Sequence, residues 1–339
     1  MNTYDRMKAF FDQTDSDRLP VTEWAPWWHL TVQRWQGEGL DDLIAPSLPY
    51  VRERGLDYGE AMQHALGLDM MRQFYISNYR KRPESTHPDG VLLKDESDYV
   101  KLKEYLFPYE NIPKMRAAFE SLYEKANGEC VIWSTFEGWF WFPRTLFGIE
   151  AHFYSFYDYP ELYLELCRDM TSYYCAVADE VFVKYQPSFI TLAEDMSYNL
   201  GSMLSKECFD TFIAPFYREF APRLHDKGIK MIIDSDGDIT EMIPWLMESG
   251  ADGILPLERQ AGVDISMLSE KYPEFYFLGG FDKMCMKFGR EAMEAEFIRL
   301  LPAIKRRKLV PGCDHQTPPD VPLETYKIYT ELLAKYCSM

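Results

Sequence analysis

From about residue 129 to its end, the chain alternates short runs rich in β-branched and aromatic residues with longer amphipathic stretches, and most of the short runs end near an acidic residue. This alternation constrains the fold more than any other feature. Parallel neighbours need a crossover long enough to hold a helix, so the pattern is that of a parallel sheet covered by helices. Strands are expected at Cys130 to Ser134, Ser188 to Ala193, Lys230 to Ile233, Asp252 to Leu255, Phe275 to Leu278 and Leu309 to Pro311. Helices are expected at Pro160 to Lys184, Ser205 to Lys227, Ile239 to Ser249, Arg290 to Arg306 and Leu323 to Tyr336. Lys227-Gly228 and Ser249-Gly250 fall where two of those helices should stop.

A first helix from Tyr4 to Asp12 and a strand from Leu19 to Trp24 bring the readable strands to seven. Residues 25–128 are aromatic and rich in turns; they are expected to hold one more barrel strand and a lid-like insertion, with a hairpin around Arg72 to Tyr79 and Val91 to Lys94. The fold class that follows is α/β, a (β/α)8 TIM barrel. No low-complexity linker or internal repeat divides the chain, so residues 1–339 are expected to form a single domain.

Charge and composition narrow the partners. A formal net charge of −18 argues against nucleic acid, whose binding draws on clustered Lys and Arg. No run of about 18 apolar residues occurs, and Met1 to Phe10 lacks the pattern of a secretory leader, so a cytoplasmic protein without membrane contact is expected. The seven cysteines are odd in number and form no CxxC pair, which fits free thiols in a reducing compartment.

In (β/α)8 barrels active sites form at the C-terminal ends of the strands, and here those ends carry Ser134, Thr135 and Glu137; Glu194 and Asp195; Asp234, Ser235 and Asp236; Glu258 and Arg259; Asp282; and Cys313, Asp314 and His315. A single loop acid needs no function, and Asp238 and Ser205 suit helix capping. Five successive strand ends bearing acids are different, because converging carboxylates repel one another unless a cation or shared proton lies among them. Glu194, Asp195, Asp282 and His315 are therefore the candidate catalytic groups. Asp234-x-Asp236 places two carboxylates on one face of a strand, and with Cys313 they make a candidate three-ligand site for zinc or another divalent metal.

Aromatic residues make up 16% of the chain, and Trp24, Trp27, Trp28, Trp133, Trp139, Phe140, Trp141 and Phe142 cluster near expected strand ends. Trp27, Trp28, Trp133, Glu137, Trp139, Glu258 and Arg259 are the candidate substrate-binding residues. Such walls suit an aryl methyl ether stacked on rings or a methylated ammonium held by cation–π contact.

The segments Glu194-Asp195-Met196, Asp234-Ser235-Asp236-Gly237-Asp238, Gly250-Ala251-Asp252-Gly253, Pro256-Leu257-Glu258, Gly279-Gly280-Phe281-Asp282-Lys283 and Gly312-Cys313-Asp314-His315 resemble, as a set and in order, the motifs of the uroporphyrinogen decarboxylase superfamily. The resemblance covers residues 129–339 well and the earlier part weakly. It implies a TIM barrel and one of two chemistries, cofactor-free decarboxylation of a tetrapyrrole or zinc-dependent methyl transfer involving a corrinoid protein. True decarboxylases carry an Arg-Gln-Ala-Gly-Arg segment after the first strand to grip substrate carboxylates, and this chain has Trp24-Ala25-Pro26-Trp27-Trp28-His29 there. The methyltransferase branch carries His-x-Cys and a late Cys on zinc, and this chain has Asp234, Asp236 and Cys313.

The resemblance thus implies methyl transfer from a small O- or N-methylated compound to a corrinoid held by a partner protein. Two alternatives stay open: a decarboxylase in which Asp195 or Asp234 protonates an electron-rich carbon, and a non-catalytic barrel that only binds. The expected partners are a small-molecule substrate, a corrinoid protein and a second copy of the chain in a homodimer.

Overall fold

Seven strands make one all-parallel sheet in which each strand pairs with the next in sequence: β1 (Met70–Tyr75), β2 (Cys130–Glu137), β3 (Ile190–Ala193), β4 (Met231–Asp234), β5 (Gly253–Leu255), β6 (Tyr276–Phe281) and β7 (Leu309–Cys313). The computed structural model describes residues 1–25, 27–85 and 87–339; Pro26, quoted above in the aromatic segment, lies outside the described residues. The sheet curls, and helices cover its outer face. These include Pro160–Val181, Arg290–Lys305 and Leu323–Cys337, close to their expected bounds, whereas the helix expected from Ser205 to Lys227 is two, Lys206–Phe212 and Ala214–His225, broken at Ile213.

The gap between β1 and β7 is spanned by the segment expected as the strand Leu19 to Trp24. This segment is buried over Leu19–Glu23 but makes no ladder with either neighbour. The Val21 carbonyl instead accepts from Asp69 N at 2.7 Å beside β1, and Glu23 Oε1 accepts from Cys313 N at 3.1 Å on β7. The fold is therefore a TIM barrel with seven laddered strands and one irregular stave. The missing laddered strand is β1, and the expected hairpin is absent among the described residues: Arg72 to Tyr75 pair parallel with Ile132 to Thr135. Around Val91 to Lys94, Leu92 N and Leu93 N donate to the Leu146 carbonyl instead of to a strand.

Strand alternation decides which side chains reach the lumen. Glu137, Ala193, Asp234 and Leu255 lie side by side in register. Ala193 and Asp234 of that row line a cavity at the C-terminal mouth, so the row faces inward. On the opposite face Phe136 meets Tyr174 and Phe220 of the covering helices. Ser205 and Asp238 cap turns as expected, Ser205 Oγ accepting from Cys208 N at 3.1 Å and Asp238 Oδ1 from Thr240 N at 3.0 Å. No helix among the described residues is long and apolar enough to cross a membrane.

Candidate active site at the barrel mouth

Two cavities meet inside the barrel. The upper, of about 430 Å3, is lined by Trp24, Tyr75, Trp141, Asp195, Asp234, Asp236 and His315 among others. The lower, of about 380 Å3, is lined by Trp24, Trp27, Trp133, Gln73, Thr191 and Asp234 among others. Trp24, Gln73 and Asp234 border both, so the acidic mouth sits over an aromatic chamber. Volumes in this range suit a small-molecule ligand. A 3.1 Å bond from Trp24 Nε1 to the Cys313 carbonyl fixes the shared indole. Gln73 is held by Thr135 Oγ1 at 2.6 Å.

Asp234 ends β4 with its carboxyl at the junction. Burial, followed by the charges of Asp236 and Asp195, pushes its pKa to about 8. Its carboxylate oxygens accept no hydrogen bond from any described residue, although its backbone carbonyl accepts from Glu194 N at 2.9 Å. Asp195 takes φ 48, an uncommon conformation for a residue with a side chain but tolerated by Asp, two residues past the end of β3. Burial raises its pKa, and Arg144, 3.3 Å from Asp195 Oδ2, opposes that rise. Asp236 is pushed to about 6 by burial, with His315 opposing and Glu258 adding to the rise. His315 Nε2 lies 3.7 Å from Asp236 Oδ2. The Glu258 carboxylate is oriented by Gly237 N at 2.9 Å, and Gly237 is required because an added Cβ would lie 2.6 Å from the Tyr198 backbone.

Other expected site residues serve the scaffold. Glu194 is fully buried, and both its oxygens are engaged: Oε1 accepts from Trp139 N at 2.9 Å and Tyr217 Oη at 2.8 Å, and Oε2 from Phe140 N at 2.7 Å and Trp141 N at 3.3 Å. It satisfies the free N–H groups that open the helix Trp141–Phe147, the helix that carries Arg144. A Cβ at Gly138 would lie 1.9 Å from the Glu194 carboxyl carbon, so the turn closes over the carboxylate. Asp282 caps the helical turn Lys283–Phe288, accepting from Met284 N at 2.9 Å, and its Oδ1 also accepts from Gln260 at 2.6 Å.

Of the aromatic candidates, Trp27 and Trp133 line the lower cavity, whereas Trp139 is buried against Tyr174, Tyr217 and Phe220 and Trp28 lies exposed on the surface. Glu137 points toward the lumen but is held by Asn78 Nδ2 at 3.2 Å. Arg259 gives its backbone N to Asp314 Oδ2 at 3.0 Å and its guanidinium to the Val263 carbonyl, and borders neither cavity.

The expected metal set of Asp234, Asp236 and Cys313 does not gather. Cys313 pairs in register with Phe281, whose ring packs on Phe297 and Tyr329 of the outer helices, so both side chains face the helical layer. The Cys313 thiol is buried near Thr317 Oγ1 at 3.8 Å, and burial and the neighbouring Glu23 raise its pKa far above that of a free thiol. Asp234 and Asp236 face the lumen without it. The donor atoms that do converge among the described residues belong to Asp236, Glu258 and His315, all within 4.8 Å of one another.

Tyr75, Gln73 and Arg144 were not singled out from the sequence. The first two sit on a strand whose last two lumen positions they make polar, and Arg144 follows the aromatic run on a helix that no apolar periodicity announced.

A family model described as uroporphyrinogen decarboxylase (URO-D) matches residues 80–336. Among solved structures, a methyltransferase from Methanosarcina mazei is 16% identical, with 99% of each chain covered and a TM-score of 0.64. A putative vitamin-B12 independent methionine synthase from Listeria monocytogenes is 10% identical, covering 88% of this chain and 93% of that one, with a TM-score of 0.43. The first shares the fold; the second is too distant to carry an argument. Comparison with curated proteins gives no match.

Proposed function

Because the chain belongs to the uroporphyrinogen decarboxylase (URO-D) family, we propose that it is an enzyme of the methyltransferase kind, moving a methyl group from a small O- or N-methylated compound to a corrinoid carried by a partner protein. The observation that carries this reading is the position of Asp234. Its carboxyl, without a hydrogen-bond partner among the described residues, stands where the acidic mouth meets the chamber of Trp24, Trp27 and Trp133. A methoxy or methylamino group at that junction would place its heteroatom against Asp234 and the rest of the molecule on the rings.

The corrinoid would supply the nucleophile that takes the methyl group. The chain's own residues do the rest. When the carbon–heteroatom bond breaks, its electron pair stays on oxygen or nitrogen, and Asp234 is placed to deliver a proton there, the general-acid role that stabilises a leaving group. Trp24 and Trp133 exclude water and orient the substrate. Arg144 holds Asp195 in place at the rim.

The decarboxylase alternative lacks a grip on its substrate. A polycarboxylate calls for unpaired arginines, whereas Arg72, which lines the lower cavity, lies 2.9 Å from Asp57 and 2.5 Å from Glu60, and Arg144 lies 3.3 Å from Asp195. The test is to supply a panel of methoxyarenes and methylamines with cob(I)alamin and to follow loss of its absorbance. Enzyme-dependent loss with at least one compound supports the reading. Turnover of uroporphyrinogen with no methyl transfer across the panel overturns it.

A further inference from the structure

Three strand-end loops converge at one point of the mouth. Asp236 comes from the end of β4, Glu258 from the turn after β5, and His315 from the turn after β7. One donor atom from each lies within 4.8 Å of the other two, and the Asp236–His315 separation is 3.7 Å. With bonds of about 2.1 Å, two ligands of one ion stand roughly 3 to 4.2 Å apart, so small side-chain rotations would close these three on a single cation.

Two further observations point to a cation. The mouth collects Asp195, Asp234, Asp236 and Glu258, yet among the described residues neither Asp236 nor Glu258 has a lysine or arginine within ion-pair distance. The nearby Lys283 is 3.1 Å from Asp314, and Arg144 is taken by Asp195. Glu258 is also oriented in advance: the Gly237 N–H holds one carboxylate oxygen, and Gly237 cannot accept a side chain. A carboxylate fixed by a backbone donor next to a histidine is how outer contacts orient metal ligands.

We propose that Asp236, Glu258 and His315 bind one divalent transition-metal ion of the zinc type through oxygen and nitrogen only, leaving a face open to the upper cavity. Cys313, the thiol that the superfamily resemblance places on zinc, takes no part. Two carboxylates and one imidazole form a ligand set that zinc, cobalt and manganese accept and that does not need a soft donor. The site is independent of which group the enzyme transfers.

The test uses the full chain, stripped with chelator and titrated with zinc by calorimetry and with cobalt(II) by optical spectroscopy. We expect one equivalent bound and cobalt ligand-field bands without a thiolate charge-transfer band. Cys313→Ala should bind as the wild type does. His315→Ala and Glu258→Gln, each checked for fold by circular dichroism, should bind at least about 100-fold more weakly, since loss of even an outer partner costs roughly 10- to 100-fold. If His315→Ala does not fold, Glu258→Gln decides. Absence of stoichiometric binding, a thiolate band that disappears in Cys313→Ala, or unchanged affinity in the ligand variants each overturns the proposal. Metal binding without methyl transfer leaves this site standing and removes the methyl-transfer reading alone.

Discussion

His315 Nε2 stands 3.7 Å from Asp236 Oδ2 across the barrel mouth, while Cys313, two residues earlier, turns its thiol into the helical layer. One short segment thus sends one side chain to the site and the other to the scaffold. His315 is partly exposed and, among the described residues, this long polar contact is the one its ring makes, so its loss should touch chemistry more than stability. His315→Gln should lower turnover by about 100-fold or more and shift Tm by no more than about 2 °C. A variant that loses several degrees and keeps its turnover would return His315 to a purely structural role.

Glu194 should behave in the opposite way. Glu194→Ala leaves three backbone N–H groups and the Tyr217 hydroxyl without their acceptor inside the core. A loss on the order of 3 kcal/mol or more is expected in urea unfolding. A loss under about 1 kcal/mol would show that water replaces the carboxylate easily and that the helix carrying Arg144 does not depend on it.

The sequence makes the barrel legible because β2 to β7 are mostly apolar runs followed closely by polar residues, as strands covered by helices and closed into a lumen are. It hides β1 because Gln73 and Tyr75 put polar groups toward the cavities, which breaks the apolar run that announces a buried strand. That same apolar character conceals which way Cys313 points. Asp234, Asp236 and His315 were legible from their places at strand ends. Glu194 looked like one more acid of that kind, because the backbone donors that occupy it come from residues 139–141, far away in sequence.

The buried His152 gives the fold a titration of its own. Burial, with the Arg144 charge adding to it, lowers its pKa to about 3, and its ring packs on Phe140 at 4.5 Å. In the unfolded chain it takes up its proton near pH 6.5, so the unfolded state binds more protons below that pH and stability falls as pH drops from about 6.5 toward 3. Relative to His152→Gln, the wild type should lose about 2 kcal/mol between pH 6.5 and 5. Parallel pH profiles for the two proteins would show that His152 is protonated in the fold.

Trp133 tests which cavity holds the substrate. Its indole lines the lower cavity and stacks on Phe189 at 6.0 Å. Trp133→Leu should raise KM for an aryl methyl ether about tenfold and leave kcat within a few-fold, the loss expected when one ring contact is removed. An unchanged KM would show that substrate stays in the upper cavity.

The most direct test of the account compares Asp234→Asn with Cys313→Ala in the cob(I)alamin methylation assay, using a substrate that the wild type turns over. Asp234 faces the junction of the two cavities and Cys313 faces the outer helices. The account predicts that Asp234→Asn loses about 100-fold or more in kcat and that Cys313→Ala stays within a few-fold of wild type. Full activity in Asp234→Asn together with loss in Cys313→Ala would contradict it and move the reacting centre out of the lumen.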